Sequence, residues 1–254
     1  LLQSPADLRS ALYLCANAVA PPADNVELGV GDSLLIKAIS QATGSSKVKA
    51  HYERLGDLGT VAQTCKSQQR TLSFTKPVPV TVSQVHNTLR QIAYTKGHAS
   101  QQQKVGLMQQ LLVSAVDPAE TKYAVRALQG KLRIGLAQST VLISLAHALA
   151  LTGAGVPETE MEEDAPEEVQ QYMDAKLAVE KRLEAAVAIV KKAYSEVPSY
   201  DALVQAAFEV PLQSFHMACT LKPGIPIAPM LAKPTKSIQE VLQRLNGQDR
   251  KSVV

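Results

Sequence analysis

TVSQVHNTLRQIAYTKGHASQQQKVGLMQQLLVSAVDPAETKYAVRALQG, residues 81–130, carries the punctuation of three successive helices. In its first third, Val82, Val85, Leu89, Ile92 and Ala93 advance by three, four, three and one, a spacing that stacks them on one helical face. Thr81 stands where a start is capped and Gly97 where an end is closed. Ser100 opens a second helix through Val105, Met108, Leu111, Leu112 and Ala115. Asp117-Pro118-Ala119-Glu120 then supplies an N-cap, a proline at the first helical position and a glutamate three residues after the cap. A third helix is expected from there to about Gln129, with Gly130 as its terminator.

The same grammar extends outward in both directions. LLQSPADLRSALYLCANAV, at the N-terminus, predicts an amphipathic helix. It has no basic start and carries Asp7 and Arg9 in its apolar stretch, unlike a secretion signal, and the chain is expected to enter its domain part-way. A fourth helix is expected from near Ala137 through Val141, Leu142, Leu145 and Leu149. A long one follows from Glu167 to about Ser195, with Tyr172, Leu183, Val187, Val190 and Tyr194 along one side. Short connections predict antiparallel or steeply crossed neighbours. In SFTKPVPV, residues 73–80, Pro77 and Pro79 forbid a helix and predict an extended strap between two helical halves. Glu158, Glu160, Glu162, Glu163 and Asp164 mark a solvated loop between Gly153 and Pro166. LKPGIPIAPMLAKP, residues 221–234, has four prolines in fourteen positions and reads as a linker leaving the helical body. The expected architecture is therefore all-α, with a helical domain over 1–222 and a linker with the start of a further domain over 223–254.

Composition agrees. Of 254 residues 46% are hydrophobic, only 4% are aromatic and none is Trp, a balance that favours helices over sheets. No run of about 18 apolar residues is present to form a membrane-spanning helix. Cys15, Cys65 and Cys219 are odd in number and far apart, which predicts buried thiols in a reducing compartment. The five histidines show no paired metal-ligand spacing and no CxxC accompanies them, so no metal site is expected. His147 reads as a packed helix residue, Asp57 as a helix cap between Gly56 and Gly59, and no nucleophile motif points to a catalytic residue.

What remains for chemistry is GKLRIGLAQSTVL, residues 130–142, where two glycines bracket Lys131-Leu132-Arg133-Ile134 at the mouth of a helix. A related pattern, Leu28-Gly29-Val30-Gly31, precedes another helix, with Gly31 corresponding to Gly135, Leu28 to Leu132 and Val30 to Ile134. Glycine lets a backbone approach a ligand closely, and the first turn of a helix leaves amides unpaired at the positive end of its dipole. Phosphate fits such a place. Lys131 and Arg133 add charge there, with Arg126 and Lys122 one and two turns earlier. A plain helix–helix connection with solvated cations accounts for the same residues. The net charge of +3 does not choose between them, because it says nothing about where the cations lie.

The stretch Leu128-Gln-Gly-Lys-Leu-Arg-Ile-Gly-Leu-Ala137 resembles the signature loop in the DNA-binding domain of ATP-dependent DNA ligases, especially the eukaryotic replicative type. Glu27-Leu-Gly-Val-Gly-Asp32, Lys37-Ala38 with Gln41-Ala-Thr-Gly44, Gly56-Asp-Leu-Gly59, Glu196-Val-Pro198 and Pro223-Gly-Ile-Pro-Ile-Ala-Pro-Met-Leu-Ala232 recur in that family in this order. The resemblance implies an all-helical domain with approximate two-fold internal symmetry. It implies minor-groove binding of nicked double-stranded DNA, mainly through phosphates. The contacts it implies fall on Gly130, Lys131, Arg133 and Gly135 and on the amides of Leu136 and Ala137, with Gly29 and Gly31 as the related loop. Gln138 departs from the glutamate often found there, without harm to an anion site. The resemblance further implies a nuclear enzyme of replication, repair and recombination that uses ATP and Mg²⁺, with downstream nucleotidyltransferase and OB-fold domains and a sliding clamp as partner. No Lys-x-Asp-Gly, the tetrapeptide whose lysine takes AMP in that family, occurs in the 254 residues. The expectation is that the adenylation centre lies beyond this chain, which needs no cofactor of its own. The rival reading is a helical-repeat protein-interaction scaffold that binds no nucleic acid. No period near about 34 or 40 residues supports it, and two motifs about a hundred residues apart suit two lobes better.

Overall fold

The computed structural model describes residues 4–69, 79–152 and 166–220, with the isolated position 239, and of residues 166–175 it describes the backbone only. Among these residues the protein is all helical. Eleven α-helices follow one another as α1 (Pro5–Cys15), α2 (Asp32–Thr43), α3 (Val48–Leu55), α4 (Leu58–Ser67), α5 (Val82–Tyr94), α6 (Ser100–Ser114), α7 (Pro118–Leu128), α8 (Gln138–Thr152), α9 (Pro166–Glu196), α10 (Tyr200–Glu209) and α11 (Phe215–Ala218). None of them is long and apolar enough to cross a membrane. The predicted acidic loop, the linker after Thr220 and nearly all of the predicted strap lie outside the described residues.

The helix boundaries follow from local chemistry. The Thr81 hydroxyl accepts from the Gln84 amide while the Gln84 side chain accepts from the Thr81 amide, and Asp117 with Glu120 repeats this exchange at α7. Ser4, Asp57 and Ser199 cap α1, α4 and α10 with their side chains. Each of these caps satisfies amides that the first helical turn leaves without an acceptor.

The helices enclose two apolar cores. The first gathers α2 to α7, with Leu35, Ile39, Leu58, Ile92, Met108, Leu112 and Leu128 buried. The second gathers α1 and α8 to α11, with Leu12, Leu145, Ala146, Val190, Leu203 and Phe215. This partition differs from the two halves expected on either side of residues 73–80. The first core draws on helices from both sides of that segment, and α1 joins the second. The reason lies in α4 and α7, whose apolar stripes meet closely. A Cβ on Gly59 would stand 2.7 Å from Arg126 Cγ and 2.8 Å from the Lys122 carbonyl oxygen, so only glycine permits the approach. Helix α1 spans the seam between the cores. Tyr13 stacks on buried His86 of α5, with ring centroids 5.0 Å apart, and its hydroxyl donates to Asp201 of α10 at 2.6 Å. Cys65 and Cys219 are buried as expected, whereas Cys15 is exposed because it falls on the outer side of the last turn of α1.

The two glycine motifs match in sequence more closely than in backbone. Gly31 caps α2 directly in an extended conformation, with φ −90° and ψ 163°. Gly135 is left-handed at φ +70°, and α8 starts only at Gln138. Leu136 and Ala137 carry the chain from Gly135 into the helical direction, and α8 starts within one residue of the expected position near Ala137.

Candidate nucleic-acid interface

The site begins where α7 ends. Gly130 takes φ +72°, its amide donates to the Ala127 carbonyl at 3.0 Å, and the Lys131 amide donates to that of Arg126 at 2.9 Å. This paired arrangement closes a helix around a left-handed residue, a conformation that costs glycine least. Beyond it the chain is exposed from Gly130 to Ser139 except at Leu132, which packs against the first core. Leu132 thus pins the loop while Lys131 and Arg133 face solvent on either side of it.

Two features mark this loop off from an ordinary connection. Arg133 is left-handed at φ +56°, a conformation uncommon outside glycine and found where surrounding structure demands it. In addition, among the described residues the amides from Leu132 to Ser139 have no protein acceptor, the first helix-closing bonds running from Thr140 and Val141 to the Ala137 carbonyl. Helix α8 therefore opens uncapped, with bare donors at the positive end of a 15-residue helix.

The second glycine loop lies against the first. Asp32, in the first turn of α2, accepts from Gln129 Nε2 at 2.9 Å and from the Tyr52 hydroxyl at 2.7 Å. These two hydrogen bonds, aided by Lys131, hold its carboxyl below the usual carboxylate range. A cleft of about 700 Å³ runs between the loops, lined by Asn17 to Pro22, Asn25 to Val30 and Leu128 to Gly130. Gly29 and Gly31 are both exposed at its edge. The predicted residues Gly29, Gly31, Gly130, Lys131, Arg133, Gly135, Leu136 and Ala137 therefore lie on two neighbouring loops. They are not electrically alike, because Asp32 already places a carboxylate at the start of α2 and, among the described residues, nothing comparable stands at the start of α8.

The structure reassigns one predicted cation. Arg126 does not add to the loop's open charge, because its Nη2 lies 2.6 Å from Asp57 Oδ2 with only 12% of the side chain exposed. That carboxylate also accepts from the Gly59 amide at 3.1 Å and from the Thr60 hydroxyl at 2.8 Å, so Asp57 is a cap, as its flanking glycines suggested. The Arg126 hydrogen bond, ahead of the others, pulls its carboxyl down to about 2. Arg133 Nη1 sits 3.9 Å from the same oxygen but is 52% exposed. Arg126 also lies over the Tyr123 ring at 5.7 Å, as Lys122 does at 6.0 Å.

Lys104 of α6 was not anticipated. It is buried, and its Nζ donates to the Leu28 carbonyl at 2.7 Å, holding up the Gly29 loop from beneath. The available signal was its register: it falls four residues before Met108, on the apolar face of α6. Tyr52, Asp32 and Gln129 were also missed, being joined only in three dimensions.

Residues 1–146 match the family model described as DNA ligase N terminus. The chain is 39% identical over 247 residues to DNA ligase 1 of Schizosaccharomyces pombe, an alignment covering 95% of this chain and 29% of that protein. It is 40% identical over 249 residues to DNA ligase 1 of Saccharomyces cerevisiae, covering 97% of this chain and 31% of that one. An archaeal relative, the DNA ligase of Pyrobaculum calidifontis, is 29% identical over 249 residues, covering 96% of this chain and 36% of that protein. The chain thus spans less than a third of the length of either yeast ligase.

Proposed function

The chain belongs to the DNA ligase N-terminus family, and on that premise we propose that it is the part of a DNA ligase that holds nicked duplex DNA. In this reading the loop from Gly130 to Ala137 grips the phosphate backbone along the minor groove, and the Gly29–Gly31 loop meets the duplex beside it. Lys131 and Arg133 supply charge, and the amides of Leu136, Ala137 and the start of α8 supply fixed donors. The observation that carries the reading is the run of unpartnered amides at the uncapped start of α8 beside two exposed cations. Backbone donors and loop cations recognise phosphates on any sequence, so the domain holds DNA with little preference among bases. The whole protein, on the same proposal, is an ATP-dependent nuclear ligase of replication, repair and recombination. Its adenylation chemistry, with ATP and Mg²⁺, belongs to nucleotidyltransferase and OB-fold domains outside this chain, and a sliding clamp would hold it to replicating DNA.

The test is equilibrium binding of the 254-residue chain to nicked duplexes of unrelated sequence across a salt series. Affinities within a few-fold of one another, falling steeply and linearly in log salt, are expected. A protein-interaction scaffold would show no such affinity, and a hundredfold preference among sequences would refute phosphate recognition.

A further inference from the structure

The turn that ends α1 stands between the two glycine loops. Asn17 borders the cleft that separates them, and it also borders a second cavity of about 480 Å³ whose far wall is Gly130 to Leu136. Its side chain rests against the first loop, with Nδ2 3.7 Å from the point that a Cβ on Gly130 would occupy. The residue is half-buried, and among the described residues its side-chain amide has no hydrogen-bond partner. Its backbone adds a second observation. Asn17 is left-handed at φ +52°. Its amide donates to the Leu14 carbonyl at 3.1 Å and the Ala18 amide to the Tyr13 carbonyl at 2.9 Å, a helix closure that favours glycine at the left-handed position. Glycine does fill that position after α2, α3 and α7, at Gly44, Gly56 and Gly130. Asparagine tolerates the conformation less well than glycine, so the turn alone does not call for a side-chain amide here.

Resting on the reading that the two glycine loops hold a duplex along its minor groove, we infer that Asn17 reaches into that groove and hydrogen-bonds the edges of the base pairs. The loops meet phosphates with Lys131, Arg133 and free amides, and the side chain that stands between the loops faces the groove those phosphates border. A neutral amide suits that place. It carries two donors on Nδ2 and an acceptor on Oδ1, with no charge to draw it aside to a phosphate. In the minor groove an A·T pair in either orientation presents only the acceptors adenine N3 and thymine O2, and a G·C pair adds the guanine N2 donor. Nδ2 donates to the acceptors, and Oδ1 accepts from the guanine amine. The contact is therefore available on any sequence, in keeping with a domain that has little preference among bases. The turn is also held firmly enough to aim one short side chain. Four positions before Asn17, Tyr13 is stacked on His86 and bonded to Asp201, which ties the end of α1 to α5 and α10.

The experiment compares the chain with its Asn17→Gly variant on two nicked duplexes across a salt series. One duplex is natural; in the other the adenines carry C–H in place of N3 (3-deazaadenine). Glycine keeps the left-handed turn, so the unfolding midpoint of the variant should equal or exceed that of wild type. Its affinity for the natural duplex should nevertheless fall about three- to tenfold, the effect of one lost hydrogen bond. The salt slope should stay that of wild type, because no phosphate is released. Wild type should bind the 3-deazaadenine duplex about twofold or more weaker than the natural one, thymine O2 remaining as an acceptor, while the variant should bind both alike. Wild-type affinity in Asn17→Gly, or a variant that still discriminates between the two duplexes, would overturn the inference and leave the phosphate grip standing. So would indifference of wild type to 3-deazaadenine, a result that does not depend on any variant folding. Absence of salt-dependent binding of wild type to either duplex would overturn the grip as well.

Discussion

Replacing Lys131 and Arg133 together by alanine separates the electrostatic grip from the fold that presents it. Both side chains are exposed, and Arg133 reaches a partner only at 3.9 Å, from a position 52% open to water. An exposed pair of that kind contributes about 0–1 kcal/mol. Its loss leaves Asp57 still bonded to Arg126 at 2.6 Å, so no buried charge is stranded. Arg133 is already left-handed at φ +56°, and alanine there bears a backbone cost similar to that of arginine. The double variant should therefore unfold within about 1 kcal/mol of wild type. Binding should respond very differently. Each neutralised phosphate contributes about 0.9 to the slope of log affinity against log salt, so losing two contacts should flatten it by about 1.8. Affinity at moderate salt should drop by about tenfold or more. Fluorescence anisotropy with a labelled nicked duplex between about 50 and 200 mM salt spans the range where the slope is measurable. Equal affinity and slope for wild type and variant, both folded by circular dichroism, would remove this loop from the interface.

Other consequences follow from the packing. Gly59→Ala would place a methyl group within 2.8 Å of the Lys122 carbonyl oxygen, which the backbone of α7 cannot easily yield. A loss of about 1–3 kcal/mol in urea unfolding is expected, and an unchanged midpoint would contradict the close approach. Asp57, held at about 2, should contribute roughly 2 kcal/mol that is complete above about pH 4 and lost as pH falls through about 2, because its folded pKa lies below the ordinary carboxylate value. Asp57→Asn should therefore be less stable than wild type at pH 6, with the gap closing by about pH 2; a gap independent of pH would refute the ion pair as its source. Incubation of the chain with radiolabelled ATP and Mg²⁺ should yield no stable protein adduct, since no Lys-x-Asp-Gly is present. A labelled band would reveal a nucleophile elsewhere in the chain.

Much of this protein was legible before its structure, and what was legible is local. Thr81 with Gln84, and Asp117 with Glu120, act across three residues of one helical turn. The amides of Gly130 and Lys131 close α7 by donating to the carbonyls of Ala127 and Arg126, all within a six-residue span. Capping and periodicity depend on neighbours that the covalent chain itself brings together, so helix type, helix ends and the cation-bearing loop could be read in order.

Tertiary structure decided which distant partner each side chain found. Arg126 reads as a free cation in the sequence, yet it is occupied by an aspartate 69 residues away. The register of Lys104 places it on the apolar face of α6, but only the tertiary structure names its partner, the Leu28 carbonyl 76 positions away. The two cores likewise cut across chain order, with α1 leaving its neighbours to join α8 and α10. Apolar burial is non-directional, so a helix with one greasy face accepts any complementary stripe and its own sequence does not name the one it will meet. Gly59 shows how that choice is enforced: a missing Cβ is silent along the chain and becomes decisive only when the backbone of α7 arrives beside it.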